Sequence, residues 1–193
     1  YNQFAQIGVE ALTGFASAYF NVRLIAPLTA AIAMAATIGA GATAQLGAMR
    51  INEEIDALEV MGIKSISYLV STRIMAGFIV IIPLYAMAII MSFLSAQVTT
   101  TLIYGQSTGT YEHYFRTFLR PDDVFWSFVQ AVIISVIVML NHCYYGFYAS
   151  GGPEGVGVAA GHAMRASITV VIMVNMLLTM ALWSVDAGAR FGG

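Results

Sequence analysis

Charge is scarce in this chain, and its scarcity excludes most soluble protein classes. Only 9% of the 193 residues are charged and 59% are hydrophobic, with a mean hydropathy of +0.80. In ordinary soluble domains about a quarter of the residues are charged. The composition therefore predicts an integral membrane protein. The formal net charge of -2 leaves no basic surface, which excludes a nucleic-acid partner.

Cysteines and catalytic motifs are also missing. The single cysteine, Cys143, excludes an intrachain disulfide and a thiolate metal cluster, and its apolar surroundings predict a small core residue. The sequence has no G-x-x-x-x-G-K-[ST] phosphate loop, and the glycines of GGPEGVGVAAG do not match G-x-G-x-x-G. We therefore expect no catalytic residue, no metal site and no cofactor in this chain. Any ATP would be bound by another chain.

Four uncharged runs are long enough to cross a bilayer. A hydrocarbon core of about 30 Å needs roughly 20 helical residues. The predicted transmembrane helices are 24–44, 74–97, 124–147 and 166–185. None of them contains Asp or Glu, which disfavours a proton-driven carrier. The chain is thus predicted to be an all-α membrane protein with four spans in this fragment.

The remaining segments connect these spans into a single domain over residues 1–193. The mixed polarity around Glu10 predicts a segment at the membrane interface. Lys and Arg are divided four and four between the two sides, so they do not set the orientation. The chain opens on Tyr1 with no initiator Met and no signal peptide, so we expect an N-terminally incomplete fragment. The predicted interfacial segment is 1–22, and the predicted loops are 98–123 and 148–165.

Small residues and isolated polar residues mark helix packing within the spans. Ala31, Ala35, Gly39 and Thr43 recur at four-residue spacing, which lets a second helix approach closely in a bundle or a dimer. Pro83 predicts a kink that either serves a gate or is accommodated by neighbouring helices. His142 is predicted to be a hydrogen-bonded structural residue. The residues that we assign to a substrate path or to dimer packing are Pro27, Ala31, Ala35, Gly39, Pro83 and Asn175.

The run INEEIDALE concentrates acidic residues in an otherwise apolar chain. On a helical wheel Asn52, Glu53, Asp56 and Glu59 fall within about 120°. Glu54 falls on the opposite, apolar side, which is formed by Ile51, Ile55, Ala57, Leu58 and Met61. A helix that rests on anionic lipid prefers Lys and Arg on its wet face. The acidic face therefore favours a basic groove on another protein, and a solvated connecting helix is the alternative.

Two stretches carry a resemblance to a known family. AQLGAMRINEEIDALEVMGI resembles the signature of the MlaE/YrbE permeases, which are membrane subunits of ABC transporters that work with MCE proteins on lipids. YYGFYASGGPEGVGVAAGHAMRAS, with VNMLLTMALW after it, resembles the actinobacterial YrbE branch. The resemblance implies a fold of five spans with a cytoplasmic coupling helix, here 47–63, that docks on the ATPase. The residues that it assigns to this coupling are Arg50, Glu53, Glu54, Asp56, Glu59, Met61 and Gly62.

The resemblance also implies partners and a location. The expected assembly contains a second YrbE-type permease in a heterodimer, two ATPase subunits that bind ATP and Mg, and an MCE hexamer that meets the outer loop. It lies in the bacterial inner membrane and imports lipids of the fatty acid, mycolic acid or sterol type. One departure stands out: many relatives have R-E-L-x-P, whereas this chain has Arg23, Leu24, Ile25, Ala26 and Pro27. Any role of that glutamate is therefore in doubt here.

The implied mechanism passes lipid through a cavity at the dimer interface, lined by the small-residue face of 24–44 and by the last span. Closure of the ATPase subunits would move the coupling helix and shift the spans between two states. Two alternatives remain at this point. One is a secondary carrier or channel that works without an ATPase, and the other is a scaffold that anchors the MCE assembly without conducting lipid.

Overall fold

The computed structural model describes residues 13–103, 105 and 107–191, and these residues form helices and turns with no strand among them. The first helix, α1, joins Thr13–Phe20, Ala26–Met34 and Ala40–Ile51 through two π-helical turns, Asn21–Ile25 and Ala35–Gly39. The helices that follow are α2 (Glu54–Val60), α3 (Ser65–Val98), α4 (Thr108–Phe118), α5 (Pro121–Phe147) and α6 (Gly152–Phe191). A further π-helical turn, Thr99–Ile103, extends α3.

Four of these helices are long and apolar enough to cross a membrane. They are Gly14–Ile51, Ser65–Leu102, Pro121–Phe147 and Gly152–Trp183. The prediction of four spans is confirmed. The runs 24–44, 74–97 and 124–147 lie within the first three of these helices, and the run 166–185 lies within α6. Successive spans run in opposite directions, so the turns at 52–64 and 148–151 share one end of the bundle, called here the acidic end. The start of α1, the end of α3, α4 and Trp183 share the other, called the far end.

The helices are longer than the hydrophobic runs that predicted them. Residues 13–22 continue α1, so this part of the predicted interfacial segment 1–22 is not a separate element, and residues 1–12 lie outside the described part. The predicted loop 148–165 is wrong beyond Gly151, because α6 begins at Gly152. Pro153 and Glu154 are favourable in a first helical turn, and they outweigh the glycines that follow.

The predicted outer loop 98–123 also contains a helix. α4 is amphipathic, and Tyr111 buries its ring and donates a hydrogen bond to Ser17 Oγ at 2.8 Å. Burial raises the pKa of the Tyr111 phenol, so this group remains a neutral donor. Phe115 packs edge-on against Phe93 of α3 with 4.8 Å between ring centroids. α4 therefore closes over the far end of α1 and α3.

The small-residue stripe of α1 packs against α5 and α6 of the same chain. Ala31 and Ala35 share a buried cluster with Ile134, Val138 and Val171. Of the two predicted alternatives, a bundle or a dimer, the stripe therefore serves packing within the bundle. The prediction that it lines a cavity at a dimer interface is wrong, because its residues are buried within the chain and leave no surface for a second molecule. The alanines and glycines that allow close approach are used within the chain.

Glycine sets the closest part of this crossing. A Cβ on Gly39 would lie 2.6 Å from Cδ2 of the His142 ring, and a Cβ on Gly146 would lie 2.9 Å from the Thr43 carbonyl oxygen. Thr43 Oγ1 also lies 2.8 Å from His142 Nδ1 and donates to the His142 carbonyl oxygen at 3.0 Å. His142 is thus a packing residue that is hydrogen-bonded through Nδ1, as predicted, whereas its buried Nε2 has no hydrogen-bond partner among the described residues.

Polar side chains of α6 compensate for a break in the hydrogen bonding of α1. Pro27 has no N–H to give to the Arg23 carbonyl four residues earlier, and the π turn Asn21–Ile25 precedes it. Thr179 Oγ1 donates to that carbonyl at 3.3 Å, and Asn175 Nδ2 donates to the Leu24 carbonyl at 3.5 Å. In a membrane such carbonyls must find partners inside the protein. Asn175 therefore hydrogen-bonds between helices, as predicted, in a structural role.

Candidate functional site

The connection between α1 and α3 bends sharply at Glu53. This residue has φ of 58°, in the left-handed region that non-glycine residues rarely adopt. The carbonyl of Glu53 accepts the Ala57 N–H at 3.0 Å, so α2 starts directly after the bend. Gly62, at φ 78°, ends α2. The predicted single helix over 47–63 is therefore wrong: it is two helical pieces, because a helical wheel assumes one continuous axis.

One side of α2 is anchored to the bundle. Ile55 is fully buried and packs in a cluster with Leu46 of α1, Leu69 of α3 and Cys143 of α5. Arg50 donates to Asp56 at 2.6 Å, which ties α2 back to the end of α1. At the other end of α2, the buried Ser65 hydroxyl donates to Glu59 at 2.6 Å. Movement of α2 would therefore displace the ends of three membrane helices.

The other side of α2 is exposed and carries negative charge. Glu53 and Glu54 form no ion pair with any described residue, and Glu54 accepts only a 3.4 Å hydrogen bond from the Asn52 amide. Four acidic and two basic residues within 50–65 leave a formal charge of -2. Val60 and Met61 are 89% and 66% exposed beside them. These residues, with Asp56, form what we call the acidic surface: Glu53, Glu54, Asp56, Val60 and Met61.

Two details of the predicted wheel change in this arrangement. Glu54 is exposed, so it is not an acid on a packed face. Ala57 and Met61 are exposed as well, although both were predicted on the packed side. The bend at Glu53 rotates α2 relative to α1, and a helix of seven residues reaches the core only through Ile55 and, in part, Leu58. The apolar surface beside the acids is thus larger than predicted.

A groove of about 780 Å³ lies between α1 and α3, nearer the far end. Its volume is within the range of sites for single small molecules, about 300–1,000 Å³. Its lower part is apolar apart from Thr29, and its upper part carries hydroxyl and amide groups beside Ile25, Met91 and Ala96. The residues that line it are Asn21, Ile25, Thr29, Ala30, Ala33, Leu84, Met87, Ala88, Met91, Ser92, Ser95, Ala96, Thr99 and Thr100. Sequence reasoning missed this groove, because it placed the cavity on the small-residue face instead.

A buried ion pair ties the far ends of the helices together. Arg23 of α1 donates to Asp123 of α5 at 3.1 Å, and both side chains are buried. The guanidinium carbon lies 4.2 Å from the centroid of the Tyr19 ring and 4.1 Å from that of Trp183, which is cation–π geometry. In this chain, where Leu24 follows Arg23, the arginine pairs with an acid one hundred positions away.

A second, more polar cavity lies at the acidic end, between the last turn of α5 and the first turns of α6. Its volume is about 500 Å³, and it is lined in part by Tyr144, Tyr145, Tyr148, Glu154 and His162. Tyr145 and His162 stack with their rings 10° from parallel. The two cavities and the acidic surface together fit a membrane subunit that binds an apolar molecule within the bilayer and a basic protein surface outside it.

Comparison with known proteins decides between the classes of membrane protein that share such features. The family model described as Permease MlaE matches residues 1–181. The chain belongs to the MlaE permease family. MlaE permeases are membrane subunits of ABC transporters, so the secondary carrier and the channel are set aside, and this subunit is not itself catalytic.

Several relatives of this MlaE permease are described as probable ABC transporter permease proteins. A probable ABC transporter permease protein of Rickettsia bellii is 26% identical over 96% of this chain and 71% of its own length. A probable ABC transporter permease protein of Synechocystis is 24% identical over 98% and 72%. The Arabidopsis thaliana protein Trigalactosyldiacylglycerol 1, chloroplastic, is 25% identical over 92% of this chain, which spans about half of that relative's length.

The predicted site residues fall into two groups in this MlaE permease. The residues predicted for coupling lie together at the acidic end, and Gly62 serves there as the residue that ends α2. Of the residues predicted for a lipid path, Pro27, Ala31, Ala35, Gly39 and Asn175 are buried within the bundle. Pro83 is exposed on the outward face of α3, which remains one continuous helix through it.

Proposed function

We propose that this chain is the membrane subunit of an ATP-driven lipid transporter and that the acidic surface docks on an ATPase subunit. The observation that carries the proposal is the exposed pair Glu53 and Glu54, held without ion-pair partners at a bend that has backbone strain. Strained conformations cost about 1–3 kcal/mol and persist mainly where surrounding structure supports them, often at functional sites. A basic groove with an apolar floor complements these acids and the exposed Val60 and Met61.

The anchoring of α2 gives the coupling a physical route. Force on the acidic surface passes through Ile55 into the cluster with Leu46, Leu69 and Cys143, and through Asp56 into Arg50. α1, α3 and α5 therefore shift together when the ATPase subunits change state. Because their packed cores have few discrete arrangements, a small shift selects between whole-bundle states rather than deforming one of them.

Lipid is the proposed cargo. The apolar groove between α1 and α3 supports it, as does a relative whose name is that of a galactolipid. The resemblance to YrbE permeases favours import of fatty acid, mycolic acid or sterol type lipids across the bacterial inner membrane. In the proposed assembly the acidic end is cytoplasmic, and two ATPase subunits bind ATP and Mg there. A second YrbE-type permease completes the membrane part, and an MCE hexamer meets the far end near α4.

A cysteine crosslinking experiment tests the docking surface. The native Cys143 is buried, so a cysteine introduced at Glu54 is the accessible one among the described residues. We expect Glu54→Cys to crosslink to the co-expressed ATPase subunit through a short bifunctional reagent, and Glu112→Cys on the exposed face of α4 to remain uncrosslinked. Equal crosslinking from the two positions, or crosslinking only from Glu112→Cys, would overturn the proposed docking.

A further inference from the structure

The groove between α1 and α3 has an ordered polarity along its length. Ala30, Ala33, Leu84, Met87 and Ala88 line its lower part, toward the middle of the bundle. The upper part, toward the far end, is lined by Asn21, Ser92, Ser95, Thr99 and Thr100. A ligand with an apolar body and a small polar head therefore matches the groove in one direction, with its head at the far end.

No charged residue lines this groove among the residues that the structure describes. On the neighbouring helix α4, Arg116 and Glu112 face each other at 3.6 Å and offset each other's charge. An anionic head would have to leave water without a cation to receive it, and burying an unpaired charge is costly. The groove therefore selects against phosphate and carboxylate heads. Of the lipid types named above, this disfavours free fatty acids and mycolic acids and leaves lipids with an uncharged head.

Three of the five polar residues of the upper part already use their donor hydrogens within the chain. The hydroxyls of the other two, Ser95 and Thr99, make no hydrogen bond among the described residues, so they can both donate and accept. Both amide hydrogens of Asn21 are used, because Nδ2 donates to Ser17 Oγ at 3.1 Å and to the Ser92 carbonyl at 3.2 Å. The hydroxyls of Ser92 and Thr100 donate to backbone carbonyls of α3 at 2.9 and 2.7 Å. Deeper in the groove, Thr29 donates to the Ile25 carbonyl at 2.8 Å. A hydroxyl has one donor hydrogen and two lone pairs, so the bonded oxygens still accept.

We propose that the groove binds an uncharged amphiphile that donates a hydrogen bond through a hydroxyl head, such as a monoacylglycerol. The inference rests on the proposed lipid transport and names the class of lipid. The ligand's hydroxyl donates to the Asn21 amide oxygen or to the Ser92 and Thr100 oxygens. Its apolar body lies along the methionines of α3 and the alanines of α1. Met87 and Met91 are flexible side chains that adapt to tails of different shape.

Photolabelling with a matched pair of competitors tests this selectivity. The full chain, in phosphatidylcholine nanodiscs without ATPase or ATP, is irradiated with a monoacylglycerol that carries a diazirine in its acyl tail. We expect labelling on peptides that contain Met87 or Met91. Unlabelled monooleoylglycerol should compete at a concentration at least about tenfold lower than monooleoylglycerol phosphate, which differs only by its charged head. Equal competition, stronger competition by the phosphate, or stronger competition by oleylamine overturns the proposal.

Three variants locate the effect in the groove. Met87→Trp should fill the groove and remove the labelling, whereas Ile90→Trp, on the exposed face of α3 outside the groove, should leave it intact. Ser95→Lys places a cation at the polar end and should shift the preference toward the phosphate. Labelling that survives Met87→Trp, or that lies on other helices, means that lipid does not occupy the groove. Lipid transport by the complex is measured separately, so failure of this selectivity is distinguishable from failure of the proposed function.

Discussion

The double variant Glu53→Lys, Glu54→Lys is expected to lose its ATPase subunit. These two side chains carry the charge of the acidic surface that is not neutralised within the chain, so their reversal sets lysines against the basic groove that we propose on the ATPase subunit. Like charges placed together in an interface cost several kcal/mol, which corresponds to a loss in affinity of at least about a hundredfold. Biolayer interferometry of the purified ATPase binding to the chain in nanodiscs measures this loss in affinity. Asp56 is left unchanged because its ion pair with Arg50 supports the fold of α2.

A matched control has the same change in net charge at the far end. In Glu112→Lys, Asp122→Lys both reversed residues are exposed, and we expect ATPase binding close to that of the unchanged chain. The unchanged complex should also weaken as salt rises from 0.05 to 0.5 M, because the distance over which exposed charges act falls from about 14 Å to about 4 Å over this range. An ATPase that binds the Glu53→Lys, Glu54→Lys variant with unchanged affinity does not dock on the acidic surface.

The second large effect is expected from Gly146→Ala, which should destabilise the bundle. The added Cβ would lie 2.9 Å from the Thr43 carbonyl oxygen and 3.0 Å from the Thr43 Cα. These are backbone atoms in the middle of a packed helix, so they cannot move aside as the end of a long side chain can. We expect a loss of about 1–3 kcal/mol in the free energy of unfolding, as for other overpacked cores. Unfolding of the purified chain in detergent micelles, followed by circular dichroism, measures it.

Gly41→Ala is the control for this substitution. A Cβ at Gly41 meets nothing within 4 Å, although Gly41 lies only two residues before Thr43, the α1 residue that Gly146 contacts. Alanine is the better helix former, so Gly41→Ala should leave the stability unchanged or raise it by up to about 1 kcal/mol. If both variants have the same free energy of unfolding, α1 and α5 cross less closely than the described geometry, and the account of the small-residue stripe is wrong.

Much of the fold follows from hydrophobicity alone. In a bilayer the backbone N–H and C=O groups of the four uncharged runs must form hydrogen bonds within a helix. This physical constraint is strong enough to place all four spans. It does not say where the helices end in water. α6 begins at Gly152, some fourteen residues before the predicted span, since helix formation outside the membrane depends on capping and packing rather than on hydropathy.

The partner of a packing motif is harder to predict than the motif. Ala31, Ala35 and Gly39 were correctly identified as a surface for close approach, but spacing along one helix does not say which helix approaches. The same limit applies to Arg23, whose acid lies one hundred positions away on α5. The groove was missed for the complementary reason: it is defined by a gap between α1 and α3, and a gap has no pattern within either helix.

The acidic run was predictable in its chemistry and not in its shape. Its negative charge and the exposure of Glu53, Asp56 and Glu59 followed from the residues. The bend at Glu53 did not, because glutamate seldom adopts positive φ and no glycine marks the position. The bend changes which residues are available to a partner. It brings Glu54 and Met61 to the surface and leaves Ile55 as the buried residue of α2.

Lipid transfer in proteoliposomes that contain the chain, its partner subunits and the ATPase tests the central claim most directly. Transfer of a fluorescent fatty acid, a fluorescent sterol and a fluorescent monoacylglycerol is followed with ATP, without ATP, and with the Glu53→Lys, Glu54→Lys variant, so the result does not depend on which lipid the groove prefers. We predict transfer with the unchanged complex and ATP, and transfer reduced to the level without ATP in the variant. Transfer at the same rate without ATP, or undiminished transfer by the variant, would contradict coupling of lipid movement to the ATPase through the acidic surface.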